Sequence, residues 1–178
     1  MGKLVLVTGA TGMVGNAFKT MASPDTFIFV SSGQKRSSGI GCDLRDAKAT
    51  DALIKRHQPD AIIHLAAKVG GIKSNMENLG DFYYHNMMMN TNILEAARAH
   101  QIGKVVSLLS TCVYPDKVVY PLTEDQIHNG EPHPSNYGYA YAKRMLDVQS
   151  RAYRAQYGCN FITAVPNNLF GENDNFDL

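Results

Sequence analysis

The run Gly9-Ala10-Thr11-Gly12-Met13-Val14-Gly15 constrains this chain more than any other stretch, because of what stands on either side of it. An apolar strand pattern, Lys3 to Val7, leads in, and helical periodicity from Gly12 to Met21 leads out, ended by Ser23-Pro24. Small residues let an anion approach the backbone, and the helix N-terminus behind them offers free N–H groups and a favourable dipole. A strand, a tight glycine turn and a helix in that order read as the opening half of a nucleotide-binding βαβ unit, with a plain tight turn as the alternative. The spacing is G-x-x-G-x-x-G, one residue looser at the start than the usual dinucleotide fingerprint.

The alternation continues along the chain. Thr26 to Ser31 is β-branched and aromatic, a strand, and Ile40 to Cys42 a short one. Asp46 to His57 has helical periodicity and stops before Pro59; Asp60 to Leu65 is a strand, followed by the loop Val69-Gly70-Gly71. A long helix is expected over Phe82 to His100, a strand over Lys104 to Leu109, and loop over most of Val113 to Pro134. Tyr137 to Tyr157 reads as a second long helix stopped by Gly158, and Phe161 to Val165 as the last strand. Near-continuous apolar strands separated by helices predict an α/β fold, a doubly wound parallel sheet with helices on both faces, over one domain, 1–178. A chain of 178 residues is long enough for one sizeable core.

The chemistry-bearing residues follow later strands. Ser110-Thr111-Cys112 comes after an apolar strand, and Tyr139-Ala140-Tyr141-Ala142-Lys143 opens a helix. Tyr139 and Lys143 lie one helical turn apart on one face, so the ammonium can act on a phenol that ordinarily titrates near ~10. Ser110 adds a hydroxyl donor for a carbonyl oxygen. Cys112 is a proton-transfer group that simple carbonyl reduction does not need, which suggests a second kind of chemistry beside reduction. Tyr141 and the run Met87-Met88-Met89 read as packing, and His64 at a strand end as a satisfied structural histidine.

Other classes find little support. Net charge is +1, with no basic patch for nucleic acid and no apolar run of membrane-spanning length. The chain enters a strand at its first residues, leaving no room for a signal peptide. Cys42, Cys112 and Cys159 are odd in number and lack zinc-type spacing, so free thiols, a cytoplasmic location and no metal are expected. At the end of the second strand, Val30-Ser31-Ser32-Gly33-Gln34-Lys35-Arg36 has two cations and no carboxylate. An acid there would bind the ribose diol of NAD; Lys35 and Arg36 instead favour the 2′-phosphate of NADP(H).

Together, Gly9 to Gly15, His64-Leu65-Ala66-Ala67 and Tyr139-x-x-x-Lys143 resemble the extended short-chain dehydrogenase/reductases. More narrowly, Ala66-Ala67-Lys68-Val69-Gly70-Gly71, Ser110 to Asp116, Ile127-His128-Asn129-Gly130, Tyr139 to Arg144 and Tyr157-Gly158-Cys159 resemble the GDP-L-fucose synthase family. The resemblance implies a Rossmann-type domain that binds NADP(H) and acts on GDP-4-keto-6-deoxymannose by 3,5-epimerisation and 4-reduction. It implies that Tyr139 protonates the C4 oxygen, Lys143 lowers its pKa and binds the nicotinamide ribose, Ser110 holds the carbonyl oxygen, and Cys112 serves the epimerisation. Asn86 falls where the superfamily often has an asparagine supporting the lysine.

Cofactor contacts implied by the same likeness include the whole Gly9, Ala10, Thr11, Gly12, Met13, Val14, Gly15 turn. They continue through Lys35, Arg36, Asp43 and Leu44, then Leu65, Ala66, Ala67 and Asn86. Leu109, Tyr139, Lys143, Pro166, Asn168 and Leu169 complete them. A homodimer through the helices 82–100 and 137–157 is also implied. Two departures accompany the likeness. Glu172 and Asn173 stand where the family motif has Pro and His. The family pattern continues beyond Leu178 with a substrate domain and the acid of the epimerisation step. The residues leave open another nucleotide-sugar epimerase or reductase, or a non-catalytic cofactor-binding module, although a binding module would not need Ser110, Tyr139 and Lys143 together.

Overall fold

The computed structural model describes residues 2–32 and 39–171. Six strands form one sheet: β1 (Leu4–Thr8), β2 (Thr26–Ser31), β3 (Ile40–Gly41), β4 (Ala61–His64), β5 (Lys104–Leu108) and β6 (Phe161–Ala164). Their spatial order is β3-β2-β1-β4-β5-β6, with every neighbouring pair parallel. The order reverses between β1 and β4, so a crevice opens over the carboxyl ends of those two strands. The expected doubly wound parallel sheet is the one observed.

Five helices cross between the strands: α1 (Met13–Thr20), α2 (Ala47–His57), α3 (Ile72–Glu77), α4 (Leu79–Ala99) and α5 (Tyr137–Tyr157). Helices α2, α4 and α5 pack side by side on one face. The crossover from β1 to β2 steps the opposite way across the sheet and, by the right-handed rule, puts α1 on the other face, where Phe18 meets Phe27 with ring centroids 5.9 Å apart. The main core lies between the sheet and the three-helix layer: Leu6, Ile54, Ile62, Ile93, Leu94, Val105, Leu146 and Phe161 are fully buried.

Local chemistry explains the boundaries. Asp46 caps α2 by accepting the N–H groups of Lys48 and Ala49 at 2.9 and 3.0 Å, and α2 ends at Gln58, left-handed at φ 41°, just before Pro59. Gly158, at φ 68°, stops α5 where Tyr137 to Tyr157 was expected to stop. Two features depart from expectation. Helix α3 occupies a stretch after Gly71 that has too few turns to show a period, and Asn75 anchors it by donating to Gly70 O at 2.8 Å. Helix α4 begins three residues early, at Leu79.

Helix α4 is unusual in burying three asparagines, each tied to backbone elsewhere. Asn86 holds both backbone polar groups of Lys68 at 2.9 and 3.0 Å, Asn90 donates to Ala142 O at 3.0 Å, and Asn92 donates to Leu44 O at 2.9 Å. Each amide is thereby satisfied in the interior and ties α4 to a neighbouring loop or helix. Among the described residues no helix is long and apolar enough to cross a membrane.

Candidate active site

Two clefts meet over the sheet's carboxyl edge. The first, of about 570 Å³, is lined by Gly9, Thr11 and Gly12 from the turn after β1, by Val30 to Ser32, by Asp43, Leu44 and Arg45 after β3, and by Leu65 to Val69 after β4. The second, of about 370 Å³, shares Leu65, Ala67 and Val69 with it and adds Val14, Ser110, Tyr139, Lys143, Pro166, Asn168 and Leu169. One elongated crevice therefore runs from the ends of β2 and β3 to the start of α5.

The three glycines of the turn do different things. Gly9 is left-handed, at φ 71°, and a Cβ there would stand 2.8 Å from Ala66 N. A Cβ at Gly15 would stand 2.3 Å from Gly9 O and 2.7 Å from Ala10 Cα, so glycine is needed for the helix to sit against its own turn. At Gly12, by contrast, an added Cβ would meet only Gly9 O, at 3.4 Å. The protein leaves that side open, and Gly12 caps α1 without any side-chain hydrogen bond. Free N–H groups at the start of α1 are thus available to an anion.

At the other end, Ser110 is extended after β5 and opens the short turn Thr111–Val113, its Oγ 3.4 Å from the N–H of Cys112. Tyr139 lies in the first turn of α5, its ring edge-on to Phe82 at 6.5 Å. Lys143 is almost wholly buried and donates to Leu108 O, the last residue of β5, at 2.8 Å. Burial lowers Lys143 to about 8, with the charge of Cys112 acting in the other direction. Burial also pushes the Tyr139 phenol up, and a charged Cys112 adds to that rise. The expected lowering of Tyr139 by Lys143 is thus not what this arrangement gives. The ammonium is committed to Leu108 and lies 5.8 Å from the ring centroid, too weak a partner to offset the loss of water. Tyr139 keeps its proton and is placed as a donor.

Cys112 does not line the crevice. It is half-buried in the turn that Ser110 opens, next to the lining residues Ser110 and Thr111, and burial pushes its thiol up against the opposing effects of Ser110, Lys143 and Arg144. Of the other expected positions, Asp43, Leu44, Leu65, Ala66, Ala67, Leu109, Pro166, Asn168 and Leu169 reach the lining, while Ala10, Met13 and Gly15 form the turn behind it. Asn86 bonds Lys68 and Phe82, not Lys143; Asn90 is the asparagine that reaches the lysine's helix. Lys35, Arg36, Glu172 and Asn173 lie outside the described residues. Among the described residues no group of His, Cys, Asp and Glu is placed to hold a metal.

Sequence reasoning missed a hydrogen-bonded line beneath the crevice. Thr8 Oγ accepts the N–H groups of Leu65 and Ala66 at 3.1 and 3.2 Å and so gives its proton to His64 Nδ1 at 2.8 Å. His64 Nε2 then donates to Asn90 Oδ1 at 3.0 Å, and Asn90 in turn donates to Ala142 O. Burial, and then the Lys143 charge, lower His64 to about 4, so the imidazole is neutral, as this pattern requires. His64 is the satisfied structural histidine expected of it. Arg45 was also missed: it grips Asp43 at 2.6 Å, holds that carboxylate down at about 2, and lines the first cleft two residues beyond the expected Asp43. Asp43 therefore meets the cleft as an anion already paired.

Residues 5–178 match the NAD dependent epimerase/dehydratase family. The chain is 45% identical to the GDP-L-fucose synthase of Dictyostelium discoideum, over 99% of this chain and 54% of that one. It is 47% identical to the probable GDP-L-fucose synthase of Drosophila melanogaster, over 98% and 54%. It also superposes on the crystal structure of a GDP-L-fucose synthetase from Naegleria fowleri bound to NADP, with a TM-score of 0.84 and 42% identity, over 98% of this chain and 56% of that one. The chain spans about half the length of the curated relatives it matches. With the match running through the glycine turn, the crevice and the Ser110, Tyr139 and Lys143 set alike, the chain belongs to the NAD dependent epimerase/dehydratase family.

Proposed function

We propose that this chain is the NADP(H)-binding and reducing portion of an enzyme that 3,5-epimerises and 4-reduces GDP-4-keto-6-deoxy-D-mannose to GDP-L-fucose. The observation that carries this reading is the crevice itself. One end is a glycine turn with an uncapped helix start, and the other gathers Ser110, Tyr139 and Lys143, with Cys112 two residues from Ser110.

The residues fit the cofactor by their own chemistry. The open side of Gly12 and the free N–H groups of α1 suit a pyrophosphate, and Lys143 suits a ribose hydroxyl. When bound, NADPH supplies the hydride that reduces C4. Tyr139 holds a proton for the C4 oxygen, and Ser110 donates a hydrogen bond to it. A ketone at C4 acidifies the protons at C3 and C5, and the same two donors stabilise the enolate formed when one is removed. Cys112, as thiolate, is the group proposed to remove it. Each inversion is completed when an acid, which the family pattern places beyond Leu178, returns a proton to the opposite face of the enolate; the same two donors then serve the reduction.

Two expectations test the reading. In the natural-length gene product, Cys112→Ser is expected to abolish deuterium uptake from D₂O at C3 and C5 while NADPH binding stays as it was; exchange at the parent rate would mean that Cys112 serves packing alone. In a fluorescence titration of this chain, NADPH is expected to bind more tightly than NADH by about tenfold or more, the value of one charge-assisted contact to a phosphate. Equal affinities would remove the role of Lys35 and Arg36.

A homodimer is part of the proposal. Leu79, Tyr83, Tyr137, Tyr141 and Met145 line an apolar groove between α4 and α5, and Tyr83 and Tyr137 stand exposed, a face suited to a second copy. The three free cysteines support a cytoplasmic location.

A further inference from the structure

Arg144 follows Lys143 on α5 and has no part in the proposed reaction, yet it is 3% exposed. Its guanidinium has no carboxylate partner among the described residues. Nε donates to Val113 O at 2.7 Å, Nη1 donates to Gly130 O at 2.7 Å, and Nη2 is buried without a hydrogen-bond partner there. The flat face lies over the Tyr141 ring, 5.2 Å from its centroid. Burying a cation on two carbonyls and one ring face, with no anion to balance it, is costly.

The two carbonyls are informative. Val113 closes the turn that carries Cys112, and Gly130 lies at the far end of the loop that leaves it. Pro115 and Pro132 bridge that loop, and Asp116 N donates to Glu131 O at 2.9 Å, so its two ends already lie together. Arg144 ties this closed loop to the helix that bears Tyr139 and Lys143. His128 adds a second tie, to Asp147 on α5 at 2.9 Å.

We propose that Arg144 is a positioning residue for Cys112: its fork fixes the Cys112 turn against α5 and keeps a permanent cation beside the thiol. This rests on the reading of Cys112 as the epimerising group. Arg144 Nε reaches the carbonyl of Val113, the residue next to Cys112, and Ser110 Oγ stands 3.4 Å from the Cys112 N–H. Lys143 and Arg144 on α5 both favour the thiolate, and its charge acts in turn on Tyr139. Lys143 loses charge above about 8. Arg144 does not, because a guanidinium stays protonated throughout this range. Its favourable effect on the thiolate therefore persists where that of Lys143 has gone, set against the burial that holds the thiol up.

The test is the pH dependence of iodoacetamide alkylation at Cys112, followed by mass spectrometry in the natural-length protein, with Cys42 as internal control. In Arg144→Met the Cys112 midpoint is expected to move to higher pH, making alkylation near neutrality about tenfold slower for each unit moved. Arg144→Lys, which keeps a charge but can reach only one carbonyl, is expected to move it less. The Cys42 profile should stay in place in both. An unmoved Cys112 midpoint in either folded variant overturns the proposal. So does faster alkylation at every pH with the midpoint unmoved, which is what loosening of the loop alone would give. If Arg144→Met does not fold, Arg144→Lys decides on the same readout. Absence of C3 and C5 exchange in the parent protein would remove the epimerisation reading and leave the alkylation result to stand on its own.

Discussion

Replacing Tyr139 by phenylalanine is expected to slow NADPH-dependent reduction of the 4-keto sugar by about 10²–10⁴-fold, the usual worth of a placed proton donor. The ring is the part of Tyr139 that packs, edge-on to Phe82, and phenylalanine keeps it. Tyr139 lines the crevice with Ser110 and Lys143, and the hydroxyl is the part the proposed reaction uses. Fold and NADPH affinity should therefore survive, and stopped-flow NADPH oxidation should separate the loss from binding. A variant that reduces at the parent rate would show that another group protonates C4. The pH profile carries a sign as well. Tyr139 is held protonated by burial, so its own titration does not limit the rate near neutrality. Lys143 is charged below about 8 and neutral above it, so its hold on the cofactor ribose, and with it the reduction rate at limiting NADPH, is expected to decline as pH rises through that value.

The glycine turn yields the second large effect, and it splits by position. Gly15→Val puts a side chain into two backbone atoms that cannot move, Gly9 O and Ala10 Cα, at 2.3 and 2.7 Å from its Cβ. A loss of about 3 kcal/mol is expected, which for a domain of this size lowers Tm by about 6–12 °C. Gly12→Ala meets only Gly9 O, at 3.4 Å, with φ at −76°, a conformation any residue adopts. Its Tm should stay within about 2 °C of the parent. NADPH affinity should nonetheless fall sharply, because the methyl group stands on the open side of the turn. Calorimetric unfolding and a fluorescence titration on the same two variants check both halves. A Gly12→Ala chain that binds NADPH as the parent does would mean that the open side is not where the pyrophosphate lies.

Strong local signals made much of this fold readable in advance. Helix α5 and strand β2 occupy their expected spans because Gly158 and Ser23-Pro24 punctuate them. Helix α3 was missed because six residues after Gly71 hold too few turns to show a period. The parallel sheet followed from apolar strands alternating with helices, but nothing local encodes where β4 inserts; that is decided by its pairing with β1. The site divides in the same way. Ser110, Tyr139 and Lys143 were visible as short motifs, and the structure brings them to one crevice. The line from Thr8 through His64 and Asn90 to Ala142 was not visible, since its members are 56, 26 and 52 residues apart. Asn90 differs in no local respect from Asn86, and only packing against α5 tells them apart. The grip of Arg144 on Val113 and Gly130, across 31 and 14 residues, was hidden for the same reason.

The most direct measurement is to incubate the natural-length gene product with NADPH and GDP-4-keto-6-deoxymannose in D₂O and follow NADPH absorbance and the sugar product together. The account predicts stoichiometric NADPH oxidation, with GDP-L-fucose as product and deuterium at C3 and C5. No NADPH oxidation with this substrate, alongside turnover of a different nucleotide sugar, would contradict it.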